Sequence, residues 1–186
     1  MILITGGARS GKSHLAERIA NQKIATCGGN VLYIATSLAT DDEMSRRIEQ
    51  HKLTRPAQWR THEGYRQLGN EIRQQSAFFA VVVLECITTM LTNLIFDWAG
   101  DNDPDHLDYL ALERWLEPQI DDLLKACAGS QSEIIIVTNE LGCGIVPEYP
   151  LARHFLDIAG RVNQKLAQQA NEVHLVVSGI DVKIKG

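Results

Sequence analysis

Ile2-Leu3-Ile4-Thr5-Gly6-Gly7-Ala8-Arg9-Ser10-Gly11-Lys12-Ser13 is the stretch that decides the fold. Its second part, Gly6 to Ser13, fits G-x-x-x-x-G-K-[ST]. The pattern alone recurs by chance. Here an apolar run enters it, and a helical pattern with Leu15, Ala16 and Ile19 leaves it, which is the context a phosphate loop needs. Glycines allow close backbone approach and positive φ. The amides from Gly6 through Gly7, Ala8, Arg9, Ser10 and Gly11 then converge on phosphate oxygens at a helix N-terminus, whose dipole favours anions. Lys12 is expected to reach the β- and γ-phosphates and Ser13 to ligate Mg2+. The loop says that a nucleoside triphosphate binds, not what is done with it.

Outward from the loop, short β-rich runs alternate with longer helix-like stretches. Strands are expected at Ile2–Thr5, Val31–Thr36, Val81–Glu85, Ile134–Asn139 and Val173–Ser178. Most are continuous apolar runs, as in strands buried on both faces. Helical patterns lie at Ser13–Gln22, Asp41–Leu53, from near Tyr65, from Leu107 to Ala128, and at Leu151–Ala170. This alternation implies right-handed crossovers, hence an α/β fold with a mostly parallel central sheet flanked by helices. Ile180–Lys185 alternates apolar and polar residues and is expected to add an edge strand. No repeat or linker interrupts the 186 residues, so a single domain over 1–186 is expected.

Composition excludes several classes. Lys+Arg 18 against Asp+Glu 23 leaves a net charge of −5, unlike a general nucleic-acid or anionic-membrane binder. No apolar run approaches the ~20 residues of a membrane span, and no secretory signal opens the chain, so a cytoplasmic protein is expected. Cys27, Cys86, Cys127 and Cys143 form no C-x-x-C pair and read as reduced, buried thiols.

Two further positions bear on the chemistry. P-loop enzymes carry an acid at the end of a second hydrophobic strand, beside the metal. Val81-Val82-Val83-Leu84-Glu85 offers Glu85 where Asp is usual; it either meets the metal or contacts another part of the nucleotide, and Glu140 is a weaker rival. His51 shares a helix face with Met44 and Ile48. By spacing alone it reads as a favourable cation in a last helical turn. Arg46, Arg47, Lys52, Arg55 and Arg60 nevertheless crowd it in an acidic chain; such a cluster suits a triphosphate and would hold an imidazole neutral and nucleophilic. The other histidines have no ligand spacing, and Asp157 with Arg161 reads as an i,i+4 pair.

The opening Ile2 to Ser13 resembles the bifunctional adenosylcobinamide kinase/adenosylcobinamide-phosphate guanylyltransferases of cobalamin biosynthesis. So do Tyr33-Ile34-Ala35-Thr36-Ser37, Asp42-Glu43-Met44, His51-Lys52 with Arg55-Pro56 and Trp59, and Leu84-Glu85-Cys86-Ile87-Thr88. Thr138-Asn139-Glu140, Pro147-Glu148, Arg153-His154-Phe155 and Gly160-Arg161-Val162-Asn163-Gln164 continue the likeness in order and spacing, across nearly the whole chain. The resemblance implies a RecA-like P-loop fold and two reactions. ATP or GTP phosphorylates the aminopropanol hydroxyl of adenosylcobinamide. The phosphate product then receives GMP from GTP through a guanylylated histidine, at the position of His51, with release of pyrophosphate. The family's nucleotide contacts fall on Gly6 to Ser13, on Ala35, Thr36 and Ser37, on Lys52, Leu53, Thr54 and Arg55, and on Glu63 and Glu85; the two carboxylates would suit guanine N1–H and amino hydrogens. The resemblance also implies a homo-oligomer, a trimer. The apolar stretch Ile87, Met90, Leu91, Leu94, Ile95 and Trp98 suits such an interface, and suits burial in the core equally well. The competing readings are a simple P-loop small-molecule kinase with no covalent nucleotide and a nucleotide-dependent interaction module.

Overall fold

The computed structural model describes every residue except Thr40, Asp41, Glu43, Met44, Arg47, Ile48, Gln50, His51, Leu53 and Thr54. Its strands are β1 (Ile2–Gly6), β2 (Val31–Ala35), β3 (Arg60–Glu63), β4 (Val81–Glu85), β5 (Glu133–Val137), β6 (Glu172–Val177) and β7 (Ile180–Lys185). They form one sheet in the order β3-β2-β4-β5-β1-β6-β7. All neighbours are parallel except β6 and β7, the edge pair expected from the tail. The helices are α1 (Lys12–Cys27), α2 (Leu68–Gln75), α3 (Ile87–Ala99), α4 (Tyr109–Ala128) and α5 (Pro150–Gln169), with a 3-10 turn at Pro104–His106.

The inner strands are apolar because both faces are covered. Ile4, Ile34, Val81, Val82, Val83, Leu84, Ile135 and Ile136 are wholly buried. One face packs on α1 through Leu15, Ala16 and Ala20. The other packs on residues of α2 to α5, including Ile72, Leu91, Leu112 and Leu166. Helix ends follow local chemistry. α1 runs past Gln22 because nothing breaks it before Gly28, whose φ of 75° and N–H to the Ile24 carbonyl close the last turn. Asp103 caps the 3-10 turn through Asp105 N–H at 3.0 Å, with Pro104 in its first turn, as its Asp-Pro sequence predicts. Among the described residues no helix is long and apolar enough to cross a membrane.

Several sequence expectations change. β3 was not foreseen: Arg-Thr-His-Glu is polar throughout and mostly exposed, because it lies at the sheet edge with a single neighbour. The stretch from Ile87 forms helix α3, and Ile87, Met90, Leu91, Leu94 and Ile95 are at most 3% exposed, so core burial accounts for them and they leave little surface for a second copy. Of the cysteines only Cys127 is buried; Cys27 and Cys143 are exposed and Cys86 is half-buried. Burial pushes the Cys127 thiol up to about 12, where it stays protonated. Arg161 does not pair along its helix with Asp157; it reaches across to Glu113 on α4 at 2.5 Å. Within the expected helix 41–53, Asp42, Ser45, Arg46, Glu49 and Lys52 are helical, while Met44, Ile48 and His51 lie outside the described residues.

The fold predicts a sharp contrast along one helix. Leu112 is fully buried and its neighbour Leu110 is 64% exposed. Leu112→Ala is expected to cost about 2–5 kcal/mol, and Leu110→Ala about 0.5 kcal/mol or less, as read from urea midpoints at unchanged slope.

Candidate active site

The sheet register brings the site together. Glu63 pairs with Ala35, Ala35 with Glu85, Glu85 with Val137 and Val137 with Ile4. These five residues form a row across five strands, roughly 19 Å long at about 4.8 Å per strand. Ligands of open α/β sheets bind beyond strand C-terminal ends of this kind. The phosphate loop stands at one end of the row and Glu63 at the other.

The loop is held in place by packing that only glycine permits at two points. A Cβ on Gly6 would lie 2.3 Å from the Val176 carbonyl oxygen. Gly11 has a φ of 103° and sits where a Cβ would be 3.3 Å from Gly179 Cα. Gly179 N–H also donates to the Ser10 carbonyl at 2.8 Å, so the β6–β7 turn braces the loop from outside the motif. Arg9 adopts a positive φ of 55°. Ser10 Oγ is buried with no partner among the described residues.

Lys12 is 7% exposed, and its ammonium donates to the Gly7 carbonyl at 2.6 Å. Burial lowers its pKa, opposed by attraction to Cys86 and Glu85. Ser13 Oγ donates to Glu85 Oε1 in a short hydrogen bond. Tyr33 donates its hydroxyl to Glu85 Oε2 at 2.7 Å. Burial and the neighbouring carboxylate push the Tyr33 phenol far above its usual range, so it remains a donor. The Arg55 guanidinium lies 3.7 Å above the Tyr33 ring, a stacked cation. Trp59 is tilted against the same ring, and both Arg55 Nε and Trp59 Nε1 are buried with no partner among the described residues.

Of the residues singled out in the sequence, Gly6 to Ser13 and Glu85 come together. Glu140 does not compete with Glu85: its backbone N–H joins Gly6 O at 3.0 Å, but its carboxylate accepts from Gly142 N–H. Ala35 and Ser37 are half-buried at the end of β2. Thr36 is fully buried; its hydroxyl bonds both the Cys86 carbonyl and the Cys86 N–H at 2.8 Å, and Asn93 donates to its carbonyl. Thr36 therefore shapes the turn after Glu85. Lys52 and Glu63 stand further out, paired at 2.5 Å. His51, Leu53 and Thr54 lie outside the described residues.

A polar chain that spacing did not reveal flanks the loop. Thr138 Oγ1 donates to Asn163 Oδ1 at 2.8 Å, Asn163 donates to the Asn139 carbonyl at 3.0 Å, and Asn139 donates to Thr88 Oγ1 at 2.7 Å. Thr88 Oγ1 lies 3.2 Å from Cys86 Sγ. The signal in the sequence was the polar Thr138-Asn139-Glu140 directly after an apolar strand.

Ser13 and Glu85 supply a hydroxyl and a carboxylate side by side next to the phosphate cradle. This hard, sparse oxygen set fits Mg2+, which takes one or two protein ligands and fills its shell with phosphate and water. Among the described residues no group of three His, Cys, Asp or Glu gathers to hold a metal unaided.

The arrangement matches known proteins at two levels. A KaiC-like protein from Pyrococcus horikoshii OT3 superposes with a TM-score of 0.51 at 13% identity, covering 94% of this chain and 69% of that one. That likeness is of fold, a RecA-like P-loop sheet. The sequence relatives are much nearer. The bifunctional adenosylcobalamin biosynthesis protein CobU of Escherichia coli K12 is 55% identical over 185 residues, covering 100% of this chain and 99% of its own. Its namesake in Salmonella typhimurium LT2 is likewise 55% identical, with the same coverage. Protein CobP of Pseudomonas aeruginosa is 39% identical, covering 99% of this chain and 96% of its own. The family model described as cobinamide kinase / cobinamide phosphate guanyltransferase matches residues 2–184. With its phosphate loop, its second strand-end acid and its full-length likeness, the chain belongs to the cobinamide kinase / cobinamide phosphate guanyltransferase family.

Proposed function

We propose that the row from the phosphate loop to Glu63 serves both reactions of the family, the second through a nucleotide carried on His51. The chain is a cobinamide kinase and cobinamide phosphate guanyltransferase of cobalamin biosynthesis. The observation that carries the assignment of the site is the meeting of buried Lys12 with the Ser13–Glu85 pair where β1 and β4 end.

In the kinase step the triphosphate of ATP or GTP lies in the Gly6–Ser13 backbone. Lys12 exchanges the Gly7 carbonyl for phosphate oxygens, and its charge, poorly hydrated where it sits, acts strongly on the anion. The aminopropanol hydroxyl of adenosylcobinamide attacks the γ-phosphorus and releases its proton to solvent, the bond to the β-phosphate oxygen breaks, and the nucleoside diphosphate leaves. Ser13 and Glu85 would hold Mg2+, which when bound neutralises phosphate charge. Glu85, in the middle of the row, turns to Ser13 of the phosphate loop, and both its oxygens are engaged by Ser13 and Tyr33, which favours this role over contact with guanine. Tyr33, under Arg55, fixes the orientation of the carboxylate.

In the second step an imidazole nitrogen of His51 attacks the α-phosphorus of GTP and pyrophosphate leaves. A phosphate oxygen of adenosylcobinamide phosphate then attacks the same phosphorus and the imidazole departs, giving adenosylcobinamide-GDP. One difficult displacement becomes two easier ones. Lys52, the residue after His51, and its ion-pair partner Glu63 meet the base or its phosphates in this reading. We extend the reading to the trimer implied by the resemblance, built on surfaces other than the buried side of α3.

Three outcomes follow. Incubation with α-labelled GTP and Mg2+ is expected to leave acid-labile, base-stable label on wild-type protein and none on His51→Ala, whose circular dichroism stays native. Label persisting in that variant contradicts the covalent route, and wild type that never labels favours the simple kinase. Lys12→Ala is expected to lower the kinase rate roughly 100- to 1000-fold. Because burial favours the neutral amine, the charge on Lys12 is lost at a pH below the ordinary 10.5. The kinase kcat/KM, which reports the free enzyme, therefore falls with rising pH earlier than an exposed lysine would allow; Lys12→Arg moves that limb upward while reducing the rate.

A further inference from the structure

We propose that the cleft between α3 and the first turns of α5 receives the corrin macrocycle of cobinamide, with Phe96 and Tyr149 as its apolar walls. The proposal rests on the family's kinase activity, which requires a large amphipathic acceptor to reach the phosphate loop.

The cleft holds about 350 Å³. Thr92, Ile95 and Phe96 line it from α3, Leu151, Ala152 and Phe155 from α5, and Tyr149 from the approach to α5. Its charged group is the carboxylate of Asp105 in the 3-10 turn, beside the hydroxyl-bearing Thr92 and Tyr149. Both rims are pinned. Asp105 accepts Leu151 N–H at 3.3 Å, tying the turn to α5. Arg153 donates from its guanidinium to the carbonyls of Pro147 and Glu148, and from its backbone to Tyr149 O at 3.2 Å. A preformed apolar cleft with few polar groups is the usual form of a small-molecule site.

Hydrogen bonds on α3 link the cleft to the polar chain beside the phosphate loop. Thr92 bonds back to the Thr88 carbonyl at 2.9 Å, and Thr88 takes the Asn139 amide. One helical turn, roughly 6 Å of rise, separates the two threonines. The loop that begins with Glu140 on the Gly6 carbonyl ends at Tyr149 in the cleft. Along it Ile145 is 95% exposed, Val146 74% and Tyr149 69%, while Phe96 across the cleft is 50% exposed. A corrin is a flat ring clad in methyl groups and edged with amides. Its faces suit the aromatic and aliphatic walls, and its edge N–H groups suit Asp105. Its cobalt-centred positive charge suits a loop that carries Asp101, Asp103, Asp105 and Asp108.

The test is steady-state kinase kinetics of Phe96→Ser, Tyr149→Ala and the cleft-filling Ala152→Trp, with cobinamide binding followed by its visible absorbance in equilibrium dialysis. Phe96 and Tyr149 are exposed enough to be replaced without loss of the core. The expected result is a KM and a dissociation constant for cobinamide raised roughly tenfold or more, with the nucleotide KM unchanged. Wild-type turnover with unchanged cobinamide constants in all three variants overturns the cleft and leaves the activity standing. A changed sedimentation coefficient with unchanged cobinamide constants also overturns it, assigning the face to contact between copies. Wild type that phosphorylates no cobinamide overturns the activity together with the cleft.

Discussion

A lysine ammonium held away from water is the constraint on which this molecule turns. Lys12 rests on the Gly7 carbonyl inside its own loop, beside Glu85 and Cys86. Burial makes its charge expensive until an anion arrives, and the same burial makes that charge effective once it does. The surrounding packing serves this state. Gly6 passes under the Val176 carbonyl, Gly11 lies against Gly179, and the Ser10 carbonyl is held by the β6–β7 turn. The final hairpin thus stabilises a motif more than 160 residues before it.

Sheet order extends the loop into the row proposed to serve both reactions. β5 separates β1 from β4, so the loop and Glu85 face each other across one strand. β2 and β3 extend the same edge outward to Ala35 and Glu63. A nucleotide anchored at its phosphates therefore has a ledge along which its remainder can lie. α3 and α5 open a cleft whose chemistry differs from the ledge: apolar walls with one carboxylate, against cations and polar strand ends. The sites proposed for the anionic and the amphipathic substrate are linked through Thr88 and Asn139.

Much of this was legible in the residues. Continuous runs such as Val81–Leu84 can only be strands covered on both faces, and alternation with helices leaves little choice but a parallel sheet. The glycine-lysine-serine spacing located the cradle, and a lone acid closing a hydrophobic run located its partner. What escaped had physical reasons. β3 carries no apolar signal because it is bonded on one side and exposed. α3 reads as apolar on several faces, so periodicity alone did not separate helix, core and interface. Tyr33 gave no hint beyond a hydroxyl within a buried strand, yet it orients Glu85. Thr36 suggested a ligand contact by its position, whereas its hydroxyl shapes the turn at Cys86. Cys27 and Cys143 read as buried thiols yet are exposed, because spacing carries no information on exposure.

The central claim is that the anion draws Lys12 off its own loop and opens the Ser13–Glu85 pair. A crystal structure with a non-hydrolysable triphosphate and Mg2+ measures this directly. The account predicts the phosphates within the Gly6–Ser13 amides, Lys12 Nζ on phosphate oxygen instead of the Gly7 carbonyl, and the metal between Ser13 and the phosphates on the Glu85 side. A triphosphate bound elsewhere, with Lys12 still on Gly7 and Ser13 still on Glu85, would contradict it.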